Sequence, residues 1–277
     1  VNVKKILSYN FKNLIISNPS NHHFKYLSLL YKKKINFFIE KPLFEKFYEI
    51  SHIIKFQKKN SLKLQSGYLF RYDELFNSFK RIINKKIIKN TSIEILCESN
   101  IHNWRKKNNN KKNISTSKSS GGGVLNELSH EIDYCLFLFG YPKKVLAFNF
   151  NSNKIKSCNV DDQSDIFLYY SNNIKVHIRL AFNHSLEKRY CLASNKNGYY
   201  MMDLISRDIE ISHRSNYKKI NNFGSLSNSY VRQIENFFLK KNLKNKKNNT
   251  NLYDSLKVLK LIEIIKNSNK RKKILHT

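Results

Sequence analysis

The chain has 277 residues, 40% of them apolar and 13% aromatic, which is enough for a packed core and too much for disorder throughout. No apolar run approaches the roughly 18 residues of a membrane-spanning helix, and no secretory h-region opens the chain, so membrane and secreted classes are not expected. The net charge of +31 accompanies an excess of Asn, Ile, Phe and Tyr, the signature of A/T-rich codons, and the basic runs (Lys32-Lys33-Lys34, Lys106-Lys107, Lys111-Lys112, Arg271-Lys272-Lys273) are scattered, so specific nucleic-acid binding is not expected either.

Leu14 to Ser17 is a short apolar run closed by Asn18-Pro19-Ser20, a strand and a turn. Phe24, Leu27, Leu30 and Tyr31 then mark one face of a helix over 21–34. Ile35 to Ile39 predicts a strand buried on both faces, Phe44 to Phe56 a helix and Leu62 to Tyr68 a third strand. Strand and helix alternating in such short units predict part of a doubly wound parallel sheet, of the Rossmann type, ending near residue 68.

From residue 69 the pattern changes. A helix over Glu74 to Ile83, a strand over Ser92 to Glu98 and a polar loop over 99–120 precede Gly121-Gly122-Gly123 and a helix that stops at Gly140-Tyr141-Pro142. Residues 143 to about 212 read as β: Lys144 to Phe150, Asp165 to Tyr170, Ile174 to Phe182, Lys188 to Ala193 and Tyr199 to Asp203, with hairpin turns at Asn172-Asn173 and Asn197-Gly198. Two amphipathic helices, Tyr230 to Leu239 and Leu252 to Ile265, follow. The expected architecture is a partial α/β domain over 1–68 and an α+β domain over 69–277, built on a largely antiparallel sheet, with the last helices able to pack back on the first domain. Cys97, Cys135, Cys158 and Cys191 have no CxxC spacing and fall mostly in apolar segments; reduced thiols, no metal site and a cytoplasmic location are the reading.

Two stretches carry a resemblance. LIISNPSNHHFKYLSLLYKKKINFFIEKPL at 14–43 resembles the strand, turn, helix, strand and EKP signature of the Gfo/Idh/MocA family of nicotinamide-dependent sugar oxidoreductases, and GGGVLNELSHEIDYCLFLFG at 121–140 resembles that family's catalytic helix. The resemblance implies hydride transfer between NAD or NADP and a sugar or nucleotide-sugar hydroxyl. It implies Lys41 and His130 as the acid/base residues, because a carbinol that gives up hydride must also give up a proton. Glu127 stands where the family has an acidic residue, usually Asp, and at i to i+3 from His130 it would share that helix face. Ser17, Asn18, Pro19, His23, Glu40 and Pro42 match the cofactor side of the family's site. Arg71, Tyr72 and Trp104 are candidates for lining the sugar. Relatives pair through the antiparallel sheet, which implies a homo-oligomer.

No G-x-G-x-x-G occurs in the sequence; the close-set glycines at 121–123 belong to the other motif. Because that turn lets the backbone approach the pyrophosphate, the expectation is impaired turnover by these residues, the glycine-rich segment lying upstream or being lost. The alternative is a non-catalytic fragment or oligomerisation module that uses the antiparallel sheet face.

Overall fold

The computed structural model describes residues 3–33, 35–45, 53–54, 64–87, 89–104, 114–156, 158–239 and 250–277. A first helix, α1 (Val3–Ser8), leads into β1 (Asn13–Ile16). The apolar runs of the first part form β1, β2 (Asn36–Ile39) and β3 (Leu64–Ser66), paired in parallel in that order. Ile16 lies opposite Ile39, and Ile39 opposite Ser66, so all three strands end at one edge of the sheet. Ser17, Glu40 and Gly67 therefore leave the sheet side by side, the place where open α/β sheets carry their ligands. The crossover between β1 and β2 starts with a 3-10 turn, Ser20–His22, and continues as α2 (His23–Leu30), which buries His23, Leu27 and Leu30. Of the helix predicted over Phe44 to Phe56, Ile53 and Ile54 are helical, and residues 46–52 and 55–56 lie outside the described residues.

The remaining strands form one nine-stranded sheet, ordered β11-β10-β9-β8-β4-β7-β6-β5-β12. These are β4 (Ser92–Asn100), β5 (Lys144–Phe150), β6 (Gln163–Tyr169), β7 (Lys175–Ala181), β8 (Asn183–Asn195), β9 (Gly198–Asp203), β10 (Asp208–His213), β11 (Asn216–Ile220) and β12 (Leu275–His276). Among the described residues of this sheet β4 and β7 pair in parallel and the other ladders are antiparallel. Alternation decides which face is buried: Ile93, Ile95 and Cys97 of β4, Val176, Ile178 and Leu180 of β7, and Cys191 and Ala193 of β8 join one core. Against it pack α3 (Glu74–Ile83), the short α4 (Ile101–Trp104), α5 (Val124–Glu127) and α6 (Ser129–Phe139).

The C-terminal helices α7 (Ser227–Leu239) and α8 (Leu252–Arg271) complete the packing. α8 serves both halves. Its Leu252, Leu256 and Leu259 sit in the core of the parallel sheet, while Val258, Leu261, Ile262 and Ile265 sit in the core of the large sheet. No helix among the described residues is long and apolar enough to cross a membrane.

The structure revises several sequence boundaries. The segment read as one helix over 121–140 is two, because Leu128 leaves the helical region (φ −100°, ψ 30°) between α5 and α6. β4 runs on to Asn100 and α4 follows it, so the segment read as a loop begins with structure; residues 105–113 lie outside the described residues. β8 spans Asn183–Asn195 rather than Lys188 to Ala193, and the β10–β11 hairpin and β12 were not anticipated. Both predicted hairpins are present, the second with its turn one residue earlier than expected: Asn172 and Asn173 both have positive φ, while Lys196 and Asn197 make the other turn and Gly198 (φ 140°) starts β9 opposite Asn195. A Cβ at Gly198 would lie 1.9 Å from Ser212 O. Gly198→Ala is expected to lower stability by at least about 2 kcal/mol, read as a shifted midpoint of denaturant unfolding at constant slope.

Candidate active site

Lys41 follows β2 at the edge where the parallel strands end, and its amine crosses to the other half of the molecule: Nζ donates to Glu127 O at 2.6 Å. That carbonyl closes α5, one turn before His130. Opposite-signed and like-signed groups crowd the amine. Burial lowers the Lys41 pKa from 10.5; the Glu127 and Glu40 carboxylates pull it back up, Arg189 pushes it further down and Glu131 raises it. The peptide bond between Lys41 and Pro42 is cis. Glu40 lies beneath Gly67, where a Cβ would stand 2.6 Å from Oε2, and burial raises its pKa above 4.5.

His130 sits in the first turn of α6, edge-on to Phe70 (centroids 5.2 Å apart) and Tyr68 (5.8 Å). Burial drives its pKa well below 6.5, and the nearby positive charges of Lys41 and Arg189 push the same way. Nδ1 is buried without a hydrogen-bond partner among the described residues. An amine and an imidazole, both held toward their neutral forms and within electrostatic range of each other, thus lie on the side where the parallel strands end.

The pH dependence of stability follows from the sign of the His130 shift. With the folded pKa lowered, the unfolded chain binds the proton first, so stability is full above 6.5 and is lost as pH falls below it toward the folded value. His23 shifts in the same direction, from burial against the pull of three carbonyls. Each imidazole contributes a slope of up to about 1.4 kcal/mol per pH unit in that window. His130→Phe is expected to flatten the acid limb of a series of denaturant melts by about that amount; an unchanged limb refutes the placement.

The turn that leads to this site is held by His23. Its Nε2 donates to Asn18 O at 2.6 Å, and Nδ1 lies 3.2 Å from Pro42 O and 3.1 Å from Leu43 O. The ring thereby clips the turn after β1 to the turn after β2. Ser17 is exposed at the strand end, Pro19 precedes the 3-10 turn, and Asn18 Nδ2 is buried without a partner among the described residues.

Residues 87–198, which hold β4 to β8 and α4 to α6, match the family model of the GFO/IDH/MocA C-terminal domain. The chain carries a Gfo/Idh/MocA C-terminal domain. No curated protein matches the sequence. Among solved structures, the fold is similar to an inositol dehydrogenase homolog from Azotobacter vinelandii complexed with NAD+ (TM-score 0.83, 9% identity, covering 96% of this chain and 78% of that one). It is similar also to a levoglucosan dehydrogenase in complex with NADH and levoglucosan (0.83, 14%, 99% and 82%). A third is the aldose-aldose oxidoreductase of Caulobacter crescentus complexed with glycerol (0.79, 15%, 99% and 82%). The partial parallel sheet followed by a largely antiparallel sheet is thus the Gfo/Idh/MocA two-domain fold.

Within that fold the motif residues do not all converge. Lys41, Glu40 and the Glu127 carbonyl come together, with His130 within electrostatic range of the amine; Glu127 ends α5 and His130 lies in the first turn of α6, so the shared helix face expected for them is interrupted at Leu128. Arg71 is buried as a brace: Nε and Nη2 donate to Asp133 at 3.0 and 2.6 Å and Nη1 to Asp254 at 3.0 Å. Tyr72 OH accepts from Gln65 Nε2 and Asn236 Nδ2, between β3 and α7. Trp104 packs edge-on against Phe182 (6.0 Å) at the margin of the large core. Two charged residues in the site were not singled out from sequence, Arg189 and Glu131. A signal existed for the first: Arg189, Cys191 and Ala193 alternate on β8, which puts an arginine on the inward face.

Proposed function

We propose that the chain derives its site from an oxidoreductase that moves hydride between NAD or NADP and a hydroxyl of a sugar or nucleotide-sugar, with Lys41 and His130 as the acid/base pair and Glu127 in support. The observation that carries the reading is that the Lys41 amine reaches the Glu127 carbonyl at 2.6 Å, one turn before His130, so that a desolvated amine and a desolvated imidazole act on each other at the C-terminal edge of the parallel sheet. A base poised near neutrality needs its charged form disfavoured, and burial does this for both groups. The named complexes support the cofactor class: similar folds hold NAD+ in the inositol dehydrogenase homolog and NADH with levoglucosan in the levoglucosan dehydrogenase.

The residues present fit the nicotinamide end of such a cofactor. Asn18 offers a buried amide without a partner, and Glu40 a carboxylate at the adjoining strand end. Neither they nor any other residues of the sequence supply the glycine-rich turn that a pyrophosphate requires. Bound NAD(P) would supply the hydride acceptor; the chain's own residues orient the carbinol, move its proton at Lys41 Nζ or the His130 ring, and exclude water. Turnover by these residues is expected to be slow for want of that turn. Binding of NADH, followed by nicotinamide fluorescence, tests this: affinity in the micromolar range overturns the impairment, while reduction of NAD+ with none of a panel of polyols and aldoses, even at saturating cofactor, overturns the activity.

A homo-oligomer joined through the open face of the large sheet and a cytoplasmic location belong to the same reading. That face carries polar contacts rather than a dry apolar surface: Glu98 pairs with Arg179 at 3.0 Å, and His177 Nε2 lies 2.9 Å from Asp165 Oδ1. A non-catalytic module using the same face is the second reading. Size-exclusion chromatography that gives a clean monomer speaks against both uses of the sheet.

A further inference from the structure

Arg189 and Glu131 pair at the same site in a way that leaves both of them incomplete. Arg189 Nε donates to Glu131 Oε1 at 2.7 Å, and Nη2 lies 2.7 Å from that same oxygen. A guanidinium and a carboxylate usually meet fork to fork, using both oxygens. Here two donors converge on one oxygen, and Oε2 is buried without a partner among the described residues. No hydrogen bond among the described residues engages Nη1. Glu131 is fully buried while the Arg189 side chain keeps 23% of its surface exposed, so the open side of the pair is the arginine's.

The pair belongs to the site by position. The guanidinium lies over the Phe70 ring at 4.6 Å, and the same ring touches His130 at 5.2 Å. Arg189 and Glu131 both act electrostatically on Lys41, and Arg189 acts on His130. A buried carboxylate oxygen without a donor is costly unless something brings it one. A free cationic donor and a free anionic acceptor on one neutral ion pair match a group that both accepts and donates, which is a hydroxyl; they match a carboxylate or phosphate poorly, because Glu131 repels it.

We infer that the Arg189–Glu131 pair reads a hydroxyl adjacent to the reacting carbinol, so that the site takes a neutral vicinal diol and discriminates against an anionic sugar. This rests on the oxidoreductase reading for the word "reacting" and on nothing else in it. Neither residue exchanges the proton; they are specificity residues.

Cofactor-free binding of methyl α-glucopyranoside, its monodeoxy analogues and the corresponding methyl glucuronide, measured by calorimetry and saturation-transfer NMR, tests the inference. The native chain is expected to bind the glucoside in preference to the glucuronide, and to bind one deoxy analogue about tenfold to a hundredfold more weakly than the rest. Arg189→Lys is expected to weaken the glucoside by a similar factor while leaving that one deoxy analogue unchanged, the non-additivity that marks a direct contact. Glu131→Gln removes the neutralising charge and is expected to raise the glucuronide-to-glucoside affinity ratio at least about tenfold. Failure of every probe to bind the native chain, equal binding by Arg189→Lys, or a native preference for the glucuronide each overturns it. Because nicotinamide is absent from the experiment, diol-dependent binding in a chain that never reduces NAD+ sinks the enzyme reading alone, and turnover indifferent to Arg189→Lys sinks this one alone.

Discussion

Asp133→Ala is expected to lower the unfolding free energy by about 3–5 kcal/mol, the usual consequence of removing one partner from a buried ion pair. The side chains of Arg71 and Asp133 are 3% and 2% exposed, so the guanidinium left behind cannot turn to water. Asp254 retains one contact at 3.0 Å but is itself a quarter exposed, and the Phe137 ring 4.5 Å from the guanidinium offers a second, weaker stabilisation. Neither replaces two short hydrogen bonds. Arg71→Met with Asp133→Leu is expected to recover most of the loss, since two well-packed apolar groups need no partner. Denaturant midpoints at constant slope give the measurement, and a loss under about 1 kcal/mol for Asp133→Ala refutes the account. The site should register the change as well. Asp133 lies one turn after His130 on α6, and Arg71 follows Phe70, whose ring packs against that imidazole, so the brace fixes both sides of the His130 pocket.

Much of this was readable in advance, and the exceptions share a cause. Strands such as Lys144–Phe150 were read correctly because every second residue goes to the core, a signal that needs no tertiary information. The EKP and GGG stretches point to Lys41 and His130 because each motif is local in sequence, whereas the contact from the Lys41 amine to the Glu127 carbonyl spans 86 residues. The break at Leu128 is not legible because the sequence around it is uniformly helix-compatible; the Glu127 carbonyl just before it accepts from Lys41, 86 residues earlier, a contact no local pattern announces. The partners of Arg71, Asp133 and Asp254, are 62 and 183 residues away, so no local pattern announces the buried brace. The β10–β11 hairpin was missed for the opposite reason. Asn216–Ile220 is exposed along almost its whole length, so it has no buried alternation to announce it.

Lys41→Met is expected to reduce the rate of any polyol oxidation by about 10²–10⁴, the usual worth of a positioned general base. A measurement that needs no turnover comes from the titration of the amine itself. Followed by ¹⁵N NMR of the lysine side chains, two of the described lysines, Lys41 and Lys266, should titrate below the 10.5 of ordinary lysine, and the signal that vanishes in Lys41→Met is that of Lys41. Burial is the leading cause, and the Glu127 carboxylate the largest opposing one, ahead of Glu40. Glu127→Gln should therefore move the midpoint further down, and by more than Glu40→Gln does. The linkage has a definite sign. Below its folded pKa Lys41 is charged in both states and its desolvation weighs against folding in full; between that value and 10.5 the unfolded chain holds more protons, so stability rises with pH. Lys41→Met should abolish this alkaline gain and stabilise the chain below the window, since it deletes a buried charge and keeps the stem packed. A lysine that titrates with the surface population, or a Glu127→Gln that raises its midpoint, would place the amine in water and leave His130 without the partner that the acid/base reading requires.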